Sequence, residues 1–163
     1  MPYTLNPPNA AYSPSEPLPQ HLAHKPIYAL PYQHFDGIYD ADTDVRYISI
    51  GIAQYDNDSI SIKTMRYTGD KWTRQAEELP LHRVIDMTLF LAKVLFDDQN
   101  GTVNIPNDTF VNQGSDISVR KESVSYGELA TYKEFLRENE QLLKDRFNTL
   151  RNVLDDLAGR GLL

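Results

Sequence analysis

The sequence predicts an α+β fold: a small antiparallel sheet packed on a buried central helix, with a long C-terminal helix and an extended, Pro-rich N-terminal arm. Three observations carry that prediction. The segments "DVRYISIGIAQYD" and "SISIKTMRY" alternate apolar and other residues at period two, the signature of strands. A strongly apolar run from Pro80 to about Asp97 has the length of a helix. Residues 125 to 158 hold an amphipathic helical pattern with no proline inside it.

The totals are those of one ordinary soluble domain. The chain has 163 residues, 40% of them hydrophobic and 24% charged, which is enough to build a core. A formal net charge of -7 and a pI near 5.0 argue against nucleic acid, whose phosphates need clustered Lys and Arg, and against an anionic membrane surface. With no cysteine, disulfides, thiolate nucleophiles and Cys-based zinc sites are excluded. The N-terminus lacks a basic and an apolar signal region, and no apolar run reaches spanning length. The expected setting is the cytoplasm, and no cofactor is implied.

Of the 10 prolines, all but Pro80 and Pro106 lie in the first 31 residues. Proline fixes φ and removes a donor, so residues 1–24 read as an extended arm. Its composition favours a solvated tail, while Tyr3, Leu5, Tyr12, Leu18 and Leu22 would let it drape over the domain or a partner. Residues 25–124 form the expected α+β core domain. "PIYALPY" is a short extended segment, followed by the two alternating strands. A loop of Asp56, Asn57 and Asp58 pairs Tyr55 with Ser59 and puts Ile48, Ile50, Ile52, Ile60 and Ile62 on one face, the face expected to be buried.

Pro80 suits the first position of the next helix. Within that helix His82, Asp86, Lys93 and Asp97 make a narrow polar stripe, and apolar residues fill the rest of the circumference. Such a helix needs cover on several sides and is the expected centre of the core. Turn signals at Asn100-Gly101 and Gly114 bracket short strands near 102–105 and 116–120.

Ser125 and Glu128 form a capping-box signature, and Gly159 and Gly161 stop the final helix, residues 125–163 being a possible oligomerisation element. Leu129, Leu136, Leu143, Leu150 and Leu157 recur every seven residues; in the other half of a coiled-coil seam Asn139 would fix register in a dimer but Arg146 is costly, so packing within the chain or a small bundle is favoured over a two-stranded coiled coil. The apolar face is wide and its far end overhangs, which predicts a homo-oligomer.

Chemistry-bearing residues concentrate in "KWTRQAEELPLHRVID". His82 and Asp86 are one helical turn apart, and Glu78 lies just upstream, so these are the candidates for acid–base work. Trp72, Arg74, Gln75 and Arg83 are the candidate ligand-binding residues; the guanidinium fork suits a phosphate or carboxylate. The plainer alternatives are a surface His82–Asp86 pair, a structural Trp72, and Glu77 and Glu78 opposing a helix dipole or neutralising Arg74. No nucleophile elbow, zinc-helix motif or Gly-rich phosphate loop is present. Asp40, Asp42 and Asp44 match the opening of a calcium loop, but Val45 and Gly51 stand where its Gly and bidentate Glu belong, leaving a solvated acidic loop as the expectation.

The stretch "KWTRQAEELPLHRVIDM", with "SIGIAQYD" before it, resembles a family of small bacterial proteins of unknown function, over about residues 25–96. The resemblance implies a bacterial source and no activity. The residues favour a non-enzymatic binding or regulatory module that self-associates, with a protein partner or a small anionic ligand. A hydrolase-type enzyme acting on an anionic ligand at the 71–86 junction is the alternative.

Overall fold

A computed structural model describes residues 14–39 and 42–163. It has the expected α+β class, with antiparallel sheets and two helices. The chain divides into two compact units, one ending at Ile85 and one running Asp86–Leu163.

The first unit is built on a five-stranded sheet. Its strands are β1 (Lys25–Pro31), β2 (Val45–Ile52), β3 (Ile60–Thr68), β4 (Lys71–Trp72) and β5 (Glu78–Pro80). Strand β1 pairs with β2, β2 with β3, and β3 with both β4 and β5, all antiparallel. Pro26 and Pro31 are tolerated because β1 is an edge strand. The first helix, α1 (Leu81–Phe96), crosses the boundary between the units. In the second unit β6 (Thr102–Ile105) and β7 (Ile117–Arg120) form a hairpin, with α2 (Tyr126–Gly159) after it.

Several expectations hold closely. Both short strands of the connection are present, and α2 opens on a reciprocal capping box in which Ser125 accepts from the Glu128 N–H and Glu128 from the Ser125 N–H. Thirty-four residues make α2 about 50 Å long.

The isoleucine face is a partial correction. Ile50 lies opposite Ile62 and Ile52 opposite Ile60, so the isoleucines do share a face, in a register two residues from the one expected. That face is not the buried one. Burial alternates the other way: Val45, Tyr47, Ser49 and Gly51 of β2 and Ser61, Lys63 and Met65 of β3 point inward. The inner face gains Tyr47 and Met65, which pack with Leu22, Leu18, Ala29 and Trp72, and its polar side chains bond to one another, as described below.

The arm supplies part of this core. Leu22 and His24 are buried, the Glu16 carbonyl accepts from the Tyr47 hydroxyl at 2.9 Å, and the Glu16 carboxylate accepts from Arg46 at 2.7 Å. Residues 14–24 therefore drape over the domain; Tyr3, Leu5 and Tyr12 lie outside the described residues.

The expected buried central helix is a second correction. Helix α1 forms at the expected place, but none of its residues is buried, and Ile85 and Met87 are 61% and 54% exposed. Its composition demands more cover than the described residues supply. Pro80 also falls outside it: it ends β5, opposite Ser61, and the helix starts at Leu81. In the second unit Phe96 packs edge-to-face on Phe147 of α2, ring centres 5.1 Å apart, and Val103 and Ile105 are buried. Beyond Phe147, Leu150, Val153 and Leu154 are exposed. No helix among the described residues is long and apolar enough to cross a membrane.

Candidate functional site

The inner sheet face gathers the most chemistry. His24, just before β1, is fully buried, as are Ser49 of β2 and Ser61 of β3, and Lys63 is nearly so. Glu78 of β5 joins them with a side chain only 2% exposed. His24 Nε2 lies 2.9 Å from Ser49 Oγ, and its Nδ1 lies 3.0 Å from Glu78 Oε1. Ser61 donates to the same oxygen at 2.6 Å, and the Gln54 N–H at 2.9 Å. Glu78 Oε2 faces Lys63 Nζ at 3.5 Å and takes no hydrogen bond among the described residues. Lys63 in turn reaches the Ala76 carbonyl at 3.3 Å.

The protonation pattern follows from these partners. An ionised Glu78 only accepts, so Nδ1 of His24 carries a hydrogen and donates to it. Burial alone would push the Glu78 carboxyl up. The hydrogen bonds from Ser61, Gln54 and His24, with the Lys63 charge, outweigh it and hold the group below its ordinary value. Lys63 sets a positive charge opposite the Glu78 carboxylate, and the cluster is almost fully bonded.

In connectivity this is a hydroxyl, an imidazole and a carboxylate in relay order. A nucleophile must also meet a substrate, and Ser49 has no exposed surface. The arrangement therefore ties the arm, β2, β3 and β5 together through one carboxylate.

Glu78, a sequence candidate, thus finds its imidazole in His24 and not in His82. His82 and Arg83 are exposed on the first turn of α1, and Asp86 is half-buried on the next. Trp72 is an anchor: it packs on Tyr67 and Tyr47, ring centres 5.3 and 6.1 Å away. Gln75 is exposed, its N–H donating to Thr73 Oγ1 at 3.2 Å. Glu77 is paired with Arg66 at 2.8 Å and also accepts from Thr64, so neither Glu77 nor Glu78 neutralises Arg74. Those bonds from Arg66 and Thr64 pull the Glu77 carboxyl down to about 2. Arg74 lines a cavity with His21, Lys25 and Gln54.

Of the weak metal candidates, Asp40 lies outside the described residues, and Asp44 is engaged by Arg66 and Thr68. Asp42 donates its N–H to the Tyr39 carbonyl at 3.0 Å. No group of three or more metal-binding side chains occurs among the described residues.

Sequence reasoning missed His24, Ser49, Ser61 and Lys63. The one available signal was the strict alternation that puts Ser49, Ser61 and Lys63 on a common face, opposite the isoleucines.

No curated protein and no solved structure matches the chain. A family of unknown function, DUF6530, matches residues 17–159, nearly the whole chain and well beyond the segment that carried the resemblance. The chain belongs to that family.

Proposed function

We propose that this protein is a non-enzymatic, self-associating module whose helices form the assembly surface. One observation carries the reading: α1, apolar around most of its circumference, has no residue buried among the described residues. Apolar area left in water is a standing free-energy cost that a second copy removes, and closed symmetric pairs are the commonest solution. The exposed Leu150, Val153 and Leu154 on the last turns of α2 extend the same argument. The reading keeps the protein in the bacterial cytoplasm, the setting expected from its sequence.

Light scattering at micromolar concentration tests it. The expected result is a mass of at least two chains, lowered by Leu150→Glu combined with Val153→Glu, which change residues already exposed in the protomer. A monomeric mass that these substitutions do not alter overturns it.

The second reading, a hydrolase acting on an anionic ligand, is favoured by the order Ser49–His24–Glu78. The complete enclosure of Ser49 weighs against it. Hydrolysis of a small ester by the wild type, abolished by Ser49→Ala in a folded variant, is the result that would favour it.

A further inference from the structure

A cavity of about 280 Å³ in the first unit is lined by His21, Leu22, Ala23, Lys25, Gln54 and Arg74. Its wall holds two fixed cations, an imidazole and a carboxamide, and no carboxylate. In a chain of net charge -7 this is a local reversal of sign.

Three other cations of this sheet have the acidic partners that the cavity lacks. Arg46 is paired with Glu16, Lys63 with Glu78, and Arg66 with Asp44 and Glu77. Glu77 and Glu78, the carboxylates that follow Arg74 in sequence, are thereby taken. Arg74 has no ion pair or hydrogen bond among the described residues, and Lys25 reaches only the Gln20 carbonyl, at 3.2 Å, which leaves its charge uncompensated. Gln54 is turned toward the same role. Its side-chain oxygen faces Lys63 Nζ at 3.5 Å, leaving the amide hydrogens as the free donors.

We propose that this cavity binds the phosphate group of a small phosphorylated molecule, with Arg74 and Lys25 as its counter-charges, Gln54 and His21 as further hydrogen-bonding groups, and Leu22 and Ala23 as the wall for the substituent. The planar guanidinium fork of Arg74 matches two phosphate oxygens, and Lys25 adds a point charge. The site lies on the arm, the turn after β2 and the turn after β4, so it exists only when residues 21–25 are seated. The inference does not depend on self-association.

Titration calorimetry with inorganic phosphate, at ionic strength matched with chloride, tests it. Saturable binding is expected, weakened at least about tenfold in Arg74→Ala and in Lys25→Gln, and unchanged in Lys71→Ala, a cation outside the cavity. Trp72 fluorescence identical to wild type verifies the fold of each variant. Three results overturn the proposal: no saturable binding at matched ionic strength, wild-type binding by folded Arg74→Ala, or equal weakening by Lys71→Ala. If phosphate binds as expected, glycerol phosphate against free phosphate separates a phosphoester site from one for the bare ion; tighter binding of the ester is expected, and exclusion of the ester overturns the claim for a phosphorylated molecule.

Discussion

His24 and Glu78 are 54 residues apart in the chain and 3.0 Å apart in the fold, and neither side chain has appreciable contact with water. Their bond joins the arm to the last strand of the sheet. It closes a polar core whose energetics are all-or-none, because every group removed strands another.

Lys63→Met removes the lysine that faces Glu78. An ionised carboxylate left alone in that position costs about 3–5 kcal/mol. Urea unfolding followed by Trp72, the single tryptophan and a neighbour of this core, should show that loss. Pairing it with Glu78→Gln should recover part of the loss, because the remaining group is neutral. Equal destabilisation in the single and double variants would mean that charge is not what the cluster balances.

The acid limb of stability follows from Glu77 and Glu78. The folded-state pKa of Glu77 is drawn from 4.5 to about 2 by the bonds from Arg66 and Thr64, and that of Glu78 is also lowered. A depressed carboxyl binds protons more readily unfolded than folded. Its stabilisation is therefore complete above about pH 4.5 and is lost as pH falls toward 2. Glu77 is more than half exposed, so solvent screening limits its share to about 1 kcal/mol or less. Glu77→Gln should flatten the pH dependence slightly in that window and lower stability at pH 7 by no more than that amount, as read by Trp72 fluorescence in urea unfolding.

The class of fold, both helices, the capping box and the strands were legible because each rests on local pattern: period two, period 3.6, or a spacing of three. Ile48, Ile50, Ile52, Ile60 and Ile62 also declared their common face. Which face the core takes is a tertiary matter. It was decided by Leu22, His24 and Glu78, which arrive from distant segments and complement Ser49, Ser61 and Lys63. No local pattern carries that. The short β4 and β5 lack the length to show a period, and Glu78 read as a helix-end acid because Pro80 read as a helix start. Arg74 was legible as a candidate from its residue type alone; its neighbours His21, from the arm, and Lys25, at the start of β1, were not.

Gly51 tests the seating of β1. A Cβ built on it would stand 2.0 Å from the Lys25 carbonyl oxygen and 2.9 Å from Pro26 Cα, both backbone atoms that cannot step aside cheaply. Gly51→Ala should push the start of β1 off β2 and disturb His24 and Leu22 with it. The expected cost is about 1–3 kcal/mol. The same variant should weaken phosphate binding, since Lys25 is displaced, whereas a variant of the far strand end such as Thr68→Ala should not.

The isoleucine face offers the sharpest contrast with what the sequence alone suggests. Tyr28, Ile50, Ile62 and Leu79 stand in one row across β1, β2, β3 and β5, and Ile50 is 38% exposed. Met65, on the opposite face, is fully buried. Deleting a side chain from a closed core costs its transfer free energy and leaves a cavity, whereas a half-exposed one loses only part of the first term. Met65→Ala should therefore cost about 2–5 kcal/mol and Ile50→Ala about 1 kcal/mol, in urea unfolding at a concentration where the protein is monomeric. If the protein self-associates as proposed, Ile50→Ala should cost more at associating concentrations only where the sheet face joins the helices in the assembly. An Ile50→Ala cost equal to that of Met65→Ala in the monomer would place the isoleucines inside the protomer core, and would contradict the inward alternation of Tyr47, Ser49, Ser61 and Lys63.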